Sequence, residues 1–111
     1  MKNWFKTGQT ITFIAACWAI FDAILHVVVD EVEPLRIAGN IITVAVAGIV
    51  RVLPGAKAAA MVCGLAALVV LVLNVVWAVD FGSLPVIAIV LFGGAVAMLA
   101  GAAVRYSQLD A

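Results

Sequence analysis

Four long apolar runs constrain this chain of 111 residues more than any other feature. They cover about 10–29, 35–53, 58–79 and 84–104. Since a helix rises about 1.5 Å per residue and the hydrocarbon core of a bilayer is roughly 30 Å thick, each run is long enough to cross a membrane. With 68% hydrophobic residues and a mean hydropathy of +1.31, the chain is more apolar than a soluble domain of this size can be. The sequence therefore predicts a single-domain, all-α membrane protein with four transmembrane helices.

Helix breakers fall between the apolar runs. Pro34 follows an acidic stretch and opens the second run, and Pro54-Gly55 closes it. The segment 80–83 interrupts the third run, and its Ser83 is a candidate N-cap for the fourth helix. Because the connections are short, consecutive helices should be antiparallel neighbours in an up-down bundle.

The charges are sorted by turn, and this sorting predicts the orientation. Basic residues occur before the first run, on both sides of the second turn and after the last run: Lys2, Lys6, Arg51, Lys57 and Arg105. The first turn is mainly acidic. The positive-inside rule therefore predicts a bacterial-type plasma membrane protein with both termini in the cytoplasm. Aromatic residues would then form an inner belt of Trp4, Phe5 and Tyr106 and an outer belt of Trp77 and Phe81.

A polar stripe runs along the first apolar helix. Asp22, His26 and Asp30 follow one another at intervals of four residues and so share one helical face. Ionisable groups inside a membrane are costly and commonly functional. In the predicted orientation Asn40 and Asn74 lie at the same depth as Asp22 and His26. These four residues, together with Asp30, are the candidate binding residues. Asp30, at the helix end, is alternatively a simple interfacial charge.

The charged residues of the outer turns are predicted to lie above this layer. They are Asp30, Glu31, Glu33, Arg36 and Asp80. The inner half of the bundle contains only weakly polar residues such as Thr10 and Thr12. The arrangement predicts a polar pocket that opens outward over an apolar floor.

Three interpretations of the polar layer remain open. It binds or translocates a cation, a proton or a small polar solute; or it only holds helices together in a non-catalytic accessory subunit; or His26, with Asp22, ligates a metal or haem iron. No nucleophile or phosphate-binding pattern accompanies the acid–base pair, which speaks against an enzyme, and no cofactor is predicted. The net charge of zero predicts no nucleic-acid partner.

Small residues at intervals of four predict close helix packing. They form three seams, namely Gly93, Ala97 and Gly101; Gly39, Thr43 and Ala47; and Ala60 with Gly64. Besides the lipid bilayer, the expected partner is a second copy of the chain, because four helices are few to enclose a path for a solute. A homodimer is the favoured homo-oligomer.

Overall fold

The computed structural model is helical and describes residues 2–28, 34–53, 55–82 and 86–108. Its helices are α1 (Lys2–Val28), α2 (Pro34–Val52), α3 (Ala56–Phe81) and α4 (Val86–Ser107). Each contains a segment long and apolar enough to cross a membrane. Much of the outer surface is apolar, as at Val28, Val79 and Val86, whose side chains are 74%, 78% and 76% exposed. For the described residues, the prediction of an all-helical protein with four helices long and apolar enough to span a membrane is confirmed.

The helices extend beyond the apolar runs. α1 begins at Lys2 rather than near residue 10, and α4 ends at Ser107 rather than near residue 104. Hydropathy marks only the part of a helix that lipid can surround, whereas the backbone hydrogen bonds continue into the polar flanks. α3 ends where Gly82 adopts a left-handed conformation (φ 87°) and donates its N–H to the carbonyl of Ala78 at 3.0 Å. Pro54 and Ser83 lie outside the described residues.

Each helix packs mainly against two others, so the four form a ring. α1 contacts α2 and α4, and α3 contacts the same two helices. The apolar core lies mainly between α2, α3 and α4, where Val50, Cys63 and Leu99 have no exposed surface. This core occupies one part of the bundle and leaves the polar residues to another.

Two aromatic side chains fasten α1 to α4 over glycines. The ring of Tyr106 lies so close to Gly8 that an added Cβ there would stand 2.7 Å from it. The indole of Trp18 covers Gly94, at 2.8 Å from an added Cβ, and donates to the carbonyl of Leu91 at 2.8 Å. Tyr106 is fully buried, so its assignment to an interfacial belt was wrong. The side chains of the other inner-belt residues, Trp4 and Phe5, are not among those described.

The small-residue seams divide into inner and outer ones. Gly39 faces Val70 and Asn74 of α3, and Gly64 faces Ala103 of α4. The α4 seam of Gly93, Ala97 and Gly101 is different, because a Cβ added at either glycine would meet nothing within 4 Å and Ala97 is exposed. Two seams thus serve packing within the chain, and the α4 seam faces away from it.

Candidate functional site: a buried polar cluster

Five buried residues, which we call the polar cluster, lie together: Asp22, His26, Arg36, Asn74 and Trp77. The first two belong to α1. The two side chains lie one helical turn apart, and His26 Nε2 is 3.2 Å from Asp22 Oδ1. Asp22 is 2% exposed and His26 is 9% exposed. Because helix residues four apart share a face, the sequence spacing is enough to bring this acid and base together.

Arg36 supplies the opposite charge from the first turn of α2. Its Nη2 donates to Asp22 Oδ2 at 2.7 Å, and the guanidinium is buried with only 4% of the residue exposed. A short charge-assisted hydrogen bond of this kind is stronger than one between neutral groups. The opposite charges of Asp22 and Arg36 therefore compensate each other within the bundle.

Asn74 of α3 fixes the orientation of the guanidinium. Its Oδ1 accepts from Arg36 Nε at 3.1 Å, while its Nδ2 donates to the carbonyl of Val70 at 2.8 Å. Both polar atoms of the amide are therefore engaged, and its oxygen is held toward Arg36. Since Asp22, Arg36 and Asn74 belong to three helices, the hydrogen bonds join α1, α2 and α3.

Trp77 covers one face of the guanidinium. Arg36 Cζ stands 5.1 Å from the centroid of its ring, a distance typical of a cation–π interaction. Trp77 is 7% exposed, so its assignment to an outer aromatic belt was wrong, and the side chain of Phe81 is not among those described.

The structure brings together three of the five predicted site residues. Asp22, His26 and Asn74 belong to the cluster, and Asp30 lies outside the described residues. Asn40 is buried, with 8% exposed, but its Nδ2 has no hydrogen-bond partner among the residues the structure describes.

Arg36 is the residue that sequence reasoning misplaced, since it was assigned to the charges above the polar layer. A signal was present in the sequence. Arg36 is the one basic residue that disagrees with the charge-based orientation, and a long basic side chain near a helix end can reach inward to an acid as well as outward to water.

A metal site has few ligands here. Among the described residues, no group of three or more His, Cys, Asp or Glu side chains is placed to hold a metal ion. Asp22 and His26 offer two ligands, and one carboxylate oxygen already accepts from Arg36. Ligation through His26 stays a prediction that requires further ligands from outside these residues.

A groove of about 400 Å³ lies between α1 and α2, at the level of the cluster. Its walls are apolar, with Ala19, Ala23, Ile37, Ile41 and Ala45 among the lining residues, and Asn40 also contributes. Ala23 follows Asp22 and Ile37 follows Arg36, so the groove and the ion pair share a level of the bundle. Apolar grooves of this size, with few polar groups, are typical of small-molecule sites.

The two buried asparagines give a matched test of the hydrogen-bond assignments. Asn74→Leu should lower the free energy of unfolding by about 1–3 kcal/mol, because Arg36 Nε loses its buried acceptor. Asn40→Leu is the same chemical change at a side chain whose Nδ2 has no partner, and it should be neutral or stabilising. Unfolding in mixed micelles measures both, and equal losses would contradict the assignments.

Similarity to other proteins does not identify the cluster. Comparison with protein-family models, with curated proteins and with solved structures finds no match to this chain. The contacts within and beside the cluster therefore supply the grounds for a function.

Proposed function

We propose that this chain is a small multi-pass membrane protein that binds a small cation at Asp22, where the incoming cation replaces the guanidinium of Arg36. The supporting observation is a carboxylate 2% exposed, in a membrane-spanning helix, with an internal cation on one oxygen at 2.7 Å. The exchange keeps Asp22 paired with a cation, as a carboxylate in a low-dielectric interior requires, and it requires the Arg36 side chain to turn from the interior toward water at the near end of α2.

His26 is the proposed point of access to the carboxylate. It lies two residues before α1 ends at Val28, and its side chain is 10% exposed against 3% for that of Asp22. Because the His26 side chain is the more exposed of the two, an incoming cation would reach Asp22 past it. The opposite part of the bundle is filled by the apolar core around Val50 and Leu99. Binding therefore requires less rearrangement than translocation.

Cation binding predicts a specific pattern of thermal stability. A bound cation should raise the melting temperature of the wild type, because a ligand of the native state stabilises it by mass action. The double variant Asp22→Asn/Arg36→Gln removes both charges and keeps polar side chains, so it should not respond. Melting curves in detergent with sodium, alkylammonium and guanidinium salts measure this. A wild type that responds no more than the double variant would contradict cation binding.

A second candidate function is a structural one. The Asp22 charge is compensated by Arg36, and the cluster connects three helices. These observations favour an accessory subunit in which the cluster only maintains packing. In that case no cation stabilises the wild type, and Arg36 never leaves Asp22.

We propose the up-down topology with both termini in the cytoplasm of a bacterial inner membrane, because the basic flanks support it. In a cysteine-free background, Glu31→Cys and Ser83→Cys should react with an impermeant thiol reagent added outside the cell. Lys57→Cys should react only after the membrane is opened. The reverse pattern would contradict this orientation.

We propose further that two copies pair through the α4 seam. Gly93→Leu and Gly101→Leu should reduce the mass of the protein–detergent complex, because these positions have open space within the chain but would hold two α4 helices apart. Gly94→Leu is the control, since it collides with Trp18 and should lower stability instead. Light scattering in mild detergent measures the mass. Unchanged masses for Gly93→Leu and Gly101→Leu would contradict a dimer at this seam.

A further inference from the structure

We infer that the cation taken by this site is a guanidinium or amidinium carrying a short apolar tail. The inference rests on the proposed exchange at Asp22 and names its ligand class. The site already holds a group of this class, because the side chain of Arg36 is an alkylguanidinium attached to α2.

The groups around Arg36 match a flat cation with several N–H donors. Asp22 Oδ2 accepts a hydrogen bond from Arg36 Nη2, and Asn74 Oδ1 accepts one from Arg36 Nε. Two acceptors on different helices thus bind different nitrogens of one planar group. The Trp77 ring covers the face of that plane at 5.1 Å. Guanidinium groups are weakly hydrated and stack on aromatic rings, whereas an ammonium is compact and strongly hydrated.

The same groups suit a metal cation poorly. The described contacts to the guanidinium provide one carboxylate oxygen, one amide oxygen and an aromatic face. Hard cations such as Ca²⁺ or Mg²⁺ take about six or more oxygen ligands, whereas Asp22 and Asn74 together offer only Oδ1 and Oδ2 of the carboxylate and Oδ1 of the amide. The two acceptors and the aromatic face thus select a cation by its shape and its hydrogen-bond donors, and not by its charge alone.

The groove between α1 and α2 accounts for the apolar tail. Its wall includes Ala19 and Asn40, which stand one helical turn from Asp22 and Arg36 on the same helix faces, so the groove reaches the side of each helix that carries the ion pair. Its volume of about 400 Å³ exceeds what a short alkyl chain fills. A ligand with its cationic head at Asp22 would place an alkyl chain along these side chains, where burial of each CH₂ is favourable.

Chemical rescue tests the ligand class. Arg36→Ala removes the tethered guanidinium and leaves Asp22, Asn74 and Trp77 in place. Millimolar ethylguanidinium should raise the melting temperature of this variant in a saturable way, and ethylammonium should have little effect. The control Asp22→Asn/Arg36→Ala lacks the carboxylate and should not respond. Leu99→Ala, a cavity in the apolar core, should be equally insensitive.

Folding of the variant is part of the test. If Arg36→Ala fails to accumulate as folded protein, it is prepared with ethylguanidinium or with ethylammonium present throughout. Recovery of folded protein with the first salt alone is the expected result. Absence of recovery with either salt would overturn the inference.

The tail is tested by chain length. Butylguanidinium should bind Arg36→Ala more tightly than ethylguanidinium does, and Ala23→Leu, which narrows the groove, should abolish that gain while leaving rescue by ethylguanidinium intact. An equal gain with Ala23→Leu present would overturn the placement of the tail.

The outcomes separate this inference from the proposed function. A wild type stabilised by sodium or alkylammonium, with Arg36→Ala not rescued by ethylguanidinium, keeps cation binding and overturns the guanidinium class. Rescue of Arg36→Ala beside a wild type that no cation stabilises would show only that the space vacated by Arg36 accepts a guanidinium, and it would overturn both the exchange at Asp22 and the ligand class assigned to it.

Discussion

An ion pair between Asp22 and Arg36, buried among helices long and apolar enough to cross a membrane, is the interaction around which α1, α2 and α3 are arranged. Neither charge is tolerable alone in this environment, because the desolvation of an unpaired ion costs several kcal/mol. Each therefore constrains where the other helix lies, and the 2.7 Å contact sets α1 beside α2 at this level. Asn74 and Trp77 then bring α3 against the same guanidinium.

α4 is held by other means. It packs on α1 through Trp18 over Gly94 and Tyr106 over Gly8, and on α3 through small residues such as Gly64. These contacts depend on shape, since apolar side chains gain little from leaving lipid for a protein interior. The bundle thus combines one charged junction among α1, α2 and α3 with close packing around α4. The open α4 seam is compatible with packing of the same kind against another helix.

Much of the fold could be predicted from the sequence, because the need to satisfy backbone hydrogen bonds in lipid turns apolar runs into helices. The i, i+4 spacing likewise predicted the Asp22–His26 contact. The partner of Asp22 across the bundle could not be predicted, since Arg36 is near a helix end where its side chain can reach water or the interior. Trp77 and Tyr106 were misassigned to interfacial belts because hydropathy indicates the depth of a residue but not the direction in which its side chain points.

A double-mutant cycle on the ion pair tests the central claim most directly. The free energy of unfolding in mixed micelles is measured for the wild type, Asp22→Asn, Arg36→Gln and the double variant. Each single change should cost about 3–5 kcal/mol, because it leaves a buried charge without its partner. The double variant should lose less than either single variant, since no charge remains to be compensated. Losses that simply add in the double variant would contradict a buried, mutually dependent pair.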